Sequence, residues 1–258
     1  MYKVSLSTYL LAIFTCHSYA FKDETLYGLD HVYPYTHDHD DSILFKKHYL
    51  EEFQPRITTS CAGRRACSRG LLNPRDPCAN IIARAEWGAR DTRHANYIIN
   101  PVSIVFIHHT VMERCYTQNQ CLQAMQKVQE LHMDVRHWDD IGYSFVVGED
   151  GGVYEARGYA RVGAHTLGWN NASIAIAVMG DFTDDLPNGQ ALQAINNVIE
   201  CGIQRGEIMP DYKLYGHRDA RPMFESPGKR LYPLIKTWPH YEHRIPIEKL
   251  KLQFSKIN

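Results

Sequence analysis

Two short apolar runs, Ser103–His109 (SIVFIHH) and Ser173–Met179 (SIAIAVM), constrain this chain more than any other feature. A half-wet strand alternates apolar and polar residues. These runs do not, so each predicts a strand buried on both faces. Between them, Gln118–Val135 carries Leu122, Met125, Val128, Leu131 and Val135 at spacings of three and four, which predicts an amphipathic helix. Gln190–Arg205 does the same with Leu192, Ile195, Val198, Ile199 and Ile203. Tyr143–Val147 and Val153–Glu155 flank a Gly-Glu-Asp-Gly-Gly turn and predict a hairpin. Lys213–Tyr215 predicts a further short strand, and Leu231–Thr237 a last helical turn or two stopped by Pro239. Strands alternating with helices predict an α/β fold, a central mixed β-sheet flanked by helices.

Polar residues gather at the ends of these strands. His108-His109-Thr110 closes the first run, Tyr143 opens the hairpin, His165-Thr166 precedes the second run, and Gly216-His217-Arg218-Asp219 follows the second helix. Ligand clefts of α/β sheets commonly lie at strand ends, so this pattern predicts a polar cleft there.

The N-terminus reads as an address. Residues 1–20 place Lys3 before a mostly apolar Leu6–Cys16, then the small residues Ser18 and Ala20, which predicts a signal peptide and a secreted chain. A spanning helix needs roughly 20 apolar residues, and no later run reaches that, so no membrane span is expected. Cleavage removes Cys16 and leaves Cys61, Cys67, Cys78, Cys115, Cys121 and Cys201. An even number suits disulfides in an oxidising compartment, though spacing alone leaves their pairing open. Cys115 and Cys121, in a polar loop, can close a small ring. Asn171-Ala172-Ser173 is a glycosylation sequon, usable only in a secreted chain. Residues 21–77 are polar and without a sustained period, and read as a poorly ordered extension. Its tract His31–Asp41 (HVYPYTHDHDD) can be a metal-binding segment, but with nothing to set ligand geometry it reads as a solvated linker. Apolar residues at 44% and charged residues at 22% exclude wholesale disorder, and a formal charge of −1 offers no field for nucleic acid or anionic lipid.

Seven segments then carry a resemblance. They are Arg84-Ala-Glu-Trp-Gly-Ala, Ile107-His-His-Thr, Asp140-Ile-Gly-Tyr-Ser-Phe, Val153-Tyr-Glu-Ala-Arg-Gly, Gly163-Ala-His-Thr-Leu-Gly-Trp-Asn, Tyr215-Gly-His-Arg-Asp and Ser226-Pro-Gly-Lys-Arg-Leu-Tyr. In this order, ending on Trp238-Pro-His, they resemble the peptidoglycan recognition proteins, animal relatives of the type 2 N-acetylmuramoyl-L-alanine amidases. The resemblance covers residues 78–243 and leaves 244–258 as a tail. It implies the type 2 amidase fold and the disulfides Cys115–Cys121 and Cys78–Cys201, with Cys61 and Cys67 left to each other.

The resemblance also implies a site. Active members hold zinc with two His and one Cys, and the fourth position takes the water that attacks. Carried over, the His are His108 and His217, the assisting Tyr is Tyr143, and the Cys position holds Ser226. A neutral hydroxyl is a poor substitute for a thiolate. His217 and Ser226 stand one position further apart than is usual in the family, and Phe224 occupies a place usually small, polar or basic. Asp219 or Glu225 is the remaining candidate for a third ligand. The expectation is therefore no metal, no cofactor and no hydrolysis, with a zinc-dependent amidase as the alternative. The groove positions implied are His109, Thr110, His132, Arg136, His137, Trp138, Tyr143, His165 and Asn170, with Arg157 taking the extra carboxylate of diaminopimelate. The expected ligand is bacterial peptidoglycan or its muropeptides, and the expected role is innate-immune recognition, passed to a signalling receptor or a protease cascade.

Overall fold

The apolar runs become the middle of one sheet. The computed structural model describes residues 76–245. The signal peptide, nearly all of the 21–77 extension with its His-Asp tract, Cys61 and Cys67, and residues 246–258 lie outside the described residues. Six strands, β1 (Ile81–Ile82), β2 (Val102–His109), β3 (Phe145–Val147), β4 (Val153–Glu155), β5 (Ile174–Val178) and β6 (Ile208–Gly216), line up as β1-β4-β3-β5-β2-β6. Only β3 and β4 pair antiparallel, so the sheet is mixed.

β5 and β2 are central, and every residue of β5 is buried. Side chains alternate across a strand, so register sorts them by face. Phe106 pairs with Ala175 and Tyr215, and His108 with Ala177. Ile104, Phe106, His108 and the two alanines therefore share one face, while Val105, Ile107, Ile174 and Ile176 share the other. The alanines leave space above that first face for rings. Phe106, Trp169 and Tyr215 fill part of it.

Helix α1 (Gln118–Glu130) covers the rest of that face, with Met125 and Val128 packed on Val146, Tyr154 and Ala177. Thr117 caps it, its hydroxyl accepting from Gln120 N–H at 3.4 Å. The expected continuation to Val135 changes character. Leu131–Val135 is a π-helical turn in which Arg136 N–H donates to Leu131 O. The wider turn leaves His132 and Met133 buried and Val135, expected on the apolar stripe, exposed. Helix α2 (Gly189–Gln204) is capped by Asn188, whose Oδ1 accepts from Ala191 N–H at 2.9 Å. Its buried face carries Leu192, Ile195, Val198 and Ile199.

β6 runs well beyond the short strand expected. Its first half, Met209-Pro210-Asp211, is exposed and borders the sheet edge, where a proline costs no ladder bond. One turn, α3 (His217–Ala220), and a short helix, α4 (Leu231–Ile235), follow. Disulfides join Cys78 to Cys201 and Cys115 to Cys121, as the resemblance implies. Among the described residues no helix is long and apolar enough to cross a membrane.

Candidate functional site

The polar residues expected at the strand ends gather over one face of the sheet. His108 rises from β2 onto the face that the alanines leave open. Rings gather around it: Tyr143 at 5.3 Å, His165 at 5.7 Å and His217 at 4.4 Å between centroids. From Tyr143 the line continues to His132 at 5.6 Å and on to Trp138 at 4.7 Å, where Arg136 lies over the indole at 5.1 Å. The π-helical turn places His132 and Trp138 here. It also binds Trp138 N–H to His132 O at 2.9 Å.

These imidazoles are held neutral. Burial, with Arg136 and Arg157 nearby, drops the His132 pKa to about 3. Burial and the proximity of His217 and Arg157 drop His165 to about 3. His217 falls to about 4 through burial and Arg221, and His108 is lowered well below 6.5, chiefly by burial. Neutral rings can accept hydrogen bonds. His132 Nδ1 accepts from Gly142 N–H at 3.0 Å. The Thr166 hydroxyl stands between His108 Nε2 at 3.2 Å and His165 Nδ1 at 3.0 Å, and can donate to only one. His165 Nε2 is buried without a hydrogen-bond partner. Burial pushes the Tyr143 phenol up to about 12, so it stays a proton donor at neutral pH.

Other expected groove residues do structural work. His109 follows His108 on the strand and faces the other way. Its Nδ1 accepts from Phe182 N–H at 3.3 Å. Thr110 Oγ1 accepts from Gly180 N–H at 3.0 Å. Asn170 Oδ1 accepts from the N–H groups of His165 and Thr166 at 2.9 and 2.8 Å and so shapes their loop. His137 is exposed, with φ at 59°, where L-residues are uncommon. Arg157 spends three of its five N–H groups on main-chain carbonyls: Nε on Ile141 at 2.7 Å, and the terminal nitrogens on Val162 at 2.7 Å and Asp140 at 3.4 Å.

Phe224 joins the ring line. It stacks on His217 at 5.0 Å and 23°. The sequence marked it only as a departure from the family, and no periodicity ties it to His217. Thr166 also belongs to the site, and the His-Thr dipeptide in the sequence is its only signal.

The residues fit a three-ligand zinc site poorly. His108 and His217 lie face to face at 28° rather than meeting edge-on at a shared point. The Ser226 hydroxyl accepts from His109 N–H at 3.2 Å. Asp219, a candidate third ligand, is taken up by Gly216 N–H at 2.7 Å and by the hydroxyls of Tyr232 and Tyr241 at 2.5 and 3.1 Å. Glu225 pairs with Lys229 at 3.5 Å. Among the described residues no three His, Cys, Asp or Glu are grouped to hold a metal ion.

The profile of the family described as N-acetylmuramoyl-L-alanine amidase matches residues 99–229. Human peptidoglycan recognition protein 3 is 42% identical over 170 residues, 66% of this chain and 49% of that protein. A mouse N-acetylmuramoyl-L-alanine amidase is 42% identical over 168 residues, 64% of this chain and 32% of that protein. The chain thus spans half or less of these two relatives. The crystal structure of peptidoglycan recognition protein-LE in complex with tracheal cytotoxin, a monomeric diaminopimelic acid-type peptidoglycan, superimposes with a TM-score of 0.62 at 38% identity, covering 64% of this chain and 97% of that one.

Proposed function

Because the chain belongs to the N-acetylmuramoyl-L-alanine amidase family and its relatives are peptidoglycan recognition proteins, we propose that it is a secreted binder of bacterial peptidoglycan that does not hydrolyse it. The observation that carries this reading is the broken ligand set. Two neutral imidazoles stack on each other, and the third position offers a hydroxyl that already accepts a main-chain hydrogen bond. A hydrolytic zinc needs three protein ligands and a water held at one point. Tyr143 is protonated and serves as a hydrogen-bond donor. Binding needs no such ligand set. Aromatic walls take the faces of sugar and peptide, and the donors at the groove's cationic end take carboxylates.

Diaminopimelate-type muropeptides are the preferred ligand in this reading. Support comes from the tracheal cytotoxin held by the PGRP-LE relative and from Arg157, which keeps two N–H groups beyond those on the three carbonyls. Recognition is then passed to an immune receptor or a protease cascade.

The test is made on the purified chain. Its zinc content is measured, muropeptides are incubated with it, and binding of diaminopimelate- and lysine-type muropeptides is compared by calorimetry. The expected result is substoichiometric zinc, no released peptide and tighter binding of the diaminopimelate type. Stoichiometric zinc with chelator-sensitive peptide release makes the chain an amidase and overturns the reading.

A further inference from the structure

The stack on His217 continues past the groove positions that the family resemblance supplies. His108, His217 and Phe224 form a column of three rings, with centroids 4.4 and 5.0 Å apart and planes within 28° and 23°. His217 covers one face of the Phe224 ring, yet the residue is still 42% exposed and its neighbour Met223 is 75% exposed. The Arg221 guanidinium stands over the ring but well beyond stacking distance, its Cζ 6.0 Å from the centroid.

The segment carrying this ring is held in place. Arg221 N–H donates to His217 O and Phe224 N–H to Arg221 O, both at 3.0 Å, and Arg218 N–H donates to Ser226 O at 2.9 Å. Ser226 ties the segment to β2, and Asp219 ties it to Gly216, Tyr232 and Tyr241. A flat apolar face is therefore presented on a fixed backbone, without the ordering cost a mobile loop would carry.

Charge orients the ligand along the line of rings. Arg136 and Arg157 both bear on His132, near the Trp138 end. The carboxylates of a stem peptide are matched there. At the column's end Arg221 bears on His217 but Glu225, close by, bears on His109 with the opposite sign, so the uncharged saccharide falls there.

Resting on the reading of the groove as a peptidoglycan site, we propose that Phe224 is a saccharide platform. Its open face receives the C–H face of a pyranose ring of the bound muropeptide, and Arg221 donates to an oxygen at that sugar's edge. Where the family resemblance implies a small polar or basic residue, the aromatic ring offers the ligand a face instead.

The test compares two calorimetric titrations, a diaminopimelate-type disaccharide–tetrapeptide and the same tetrapeptide without sugar. Wild type, Phe224→Ala and Phe224→Trp are each measured. Phe224→Ala should lose about tenfold in affinity for the disaccharide–tetrapeptide and less than about twofold for the free peptide, and Phe224→Trp should retain both. Retained affinity for the free peptide also shows that the variant folds. If wild type binds both ligands and Phe224→Ala loses neither, or both alike, the platform is overturned while the groove reading stands. If wild type binds neither ligand, the groove reading fails and the platform falls with it.

Discussion

Replacing Asp140 with Asn should weaken the fold more than any other change of one atom near the groove. Asp140 is 1% exposed and lies between two guanidiniums, Arg84 at 2.9 Å and Arg161 at 3.5 Å, themselves only 19% and 17% exposed. Its other oxygen accepts from Gln129 Nε2 at 2.9 Å and from Ile141 N–H at 2.8 Å. Asn keeps the shape but removes the charge, and an amide nitrogen then faces one set of donors. Breaking a buried pair from one side costs about 3–5 kcal/mol, because the partner charges stay behind. For a domain of this size that is a fall in Tm on the order of 10 °C. Urea unfolding followed by circular dichroism measures it, and the slope with denaturant should not change. Asp134→Asn is the control. Asp134 meets Arg90 at 2.5 Å and Arg93 at 3.4 Å, with 41% of its side chain exposed, and should barely shift the midpoint because water screens it. Equal midpoints for the two variants would refute the argument that burial makes the Asp140 cluster different.

Stability should also fall with acid, starting well above the carboxylate range. His132 and His165 titrate at about 3 and His217 at about 4 in the folded chain, against 6.5 when unfolded. Above pH 6.5 neither state is protonated and nothing is lost. Below it the unfolded chain takes up protons that the fold refuses, so stability declines from there down to pH 3–4. At pH 5 unfolding should take up more than about two protons, read from urea midpoints between pH 7 and 5. Asp134 and Asp181 have depressed pKa values and act only at lower pH. An unchanged midpoint at pH 5 would mean that the imidazoles are not buried neutral. Ser226→Cys should raise the zinc retained after dialysis, measured by elemental analysis, because a thiolate supplies the charge that two imidazoles lack. If it does not, the stacked rings, and not the missing sulfur, exclude the metal.

The sheet was legible because burial on both faces leaves a run with no alternation, as in β2 and β5, and the helices because one buried face repeats at three and four. β6 was half legible: Met209-Pro210-Asp211 lies at a sheet edge, is exposed and carries no apolar signal. The groove was less readable, since its parts meet only in space. Alternation alone predicts that His108 and His109 face opposite sides of β2, yet a motif shared with a family presents both as one unit. Arg157 shows a second limit. A motif names the guanidinium but not the three carbonyls that hold it, so its capacity for a ligand appears only in the structure. Phe224 shows the reverse. As a departure from a pattern it signals loss of chemistry, but stacked on His217 it adds an apolar surface. Ser226 and Phe224 sit two residues apart in one short segment. In the proposed reading, substitutions there exchange a metal ligand for a binding face, while His108, His217 and the sheet beneath them stay in place.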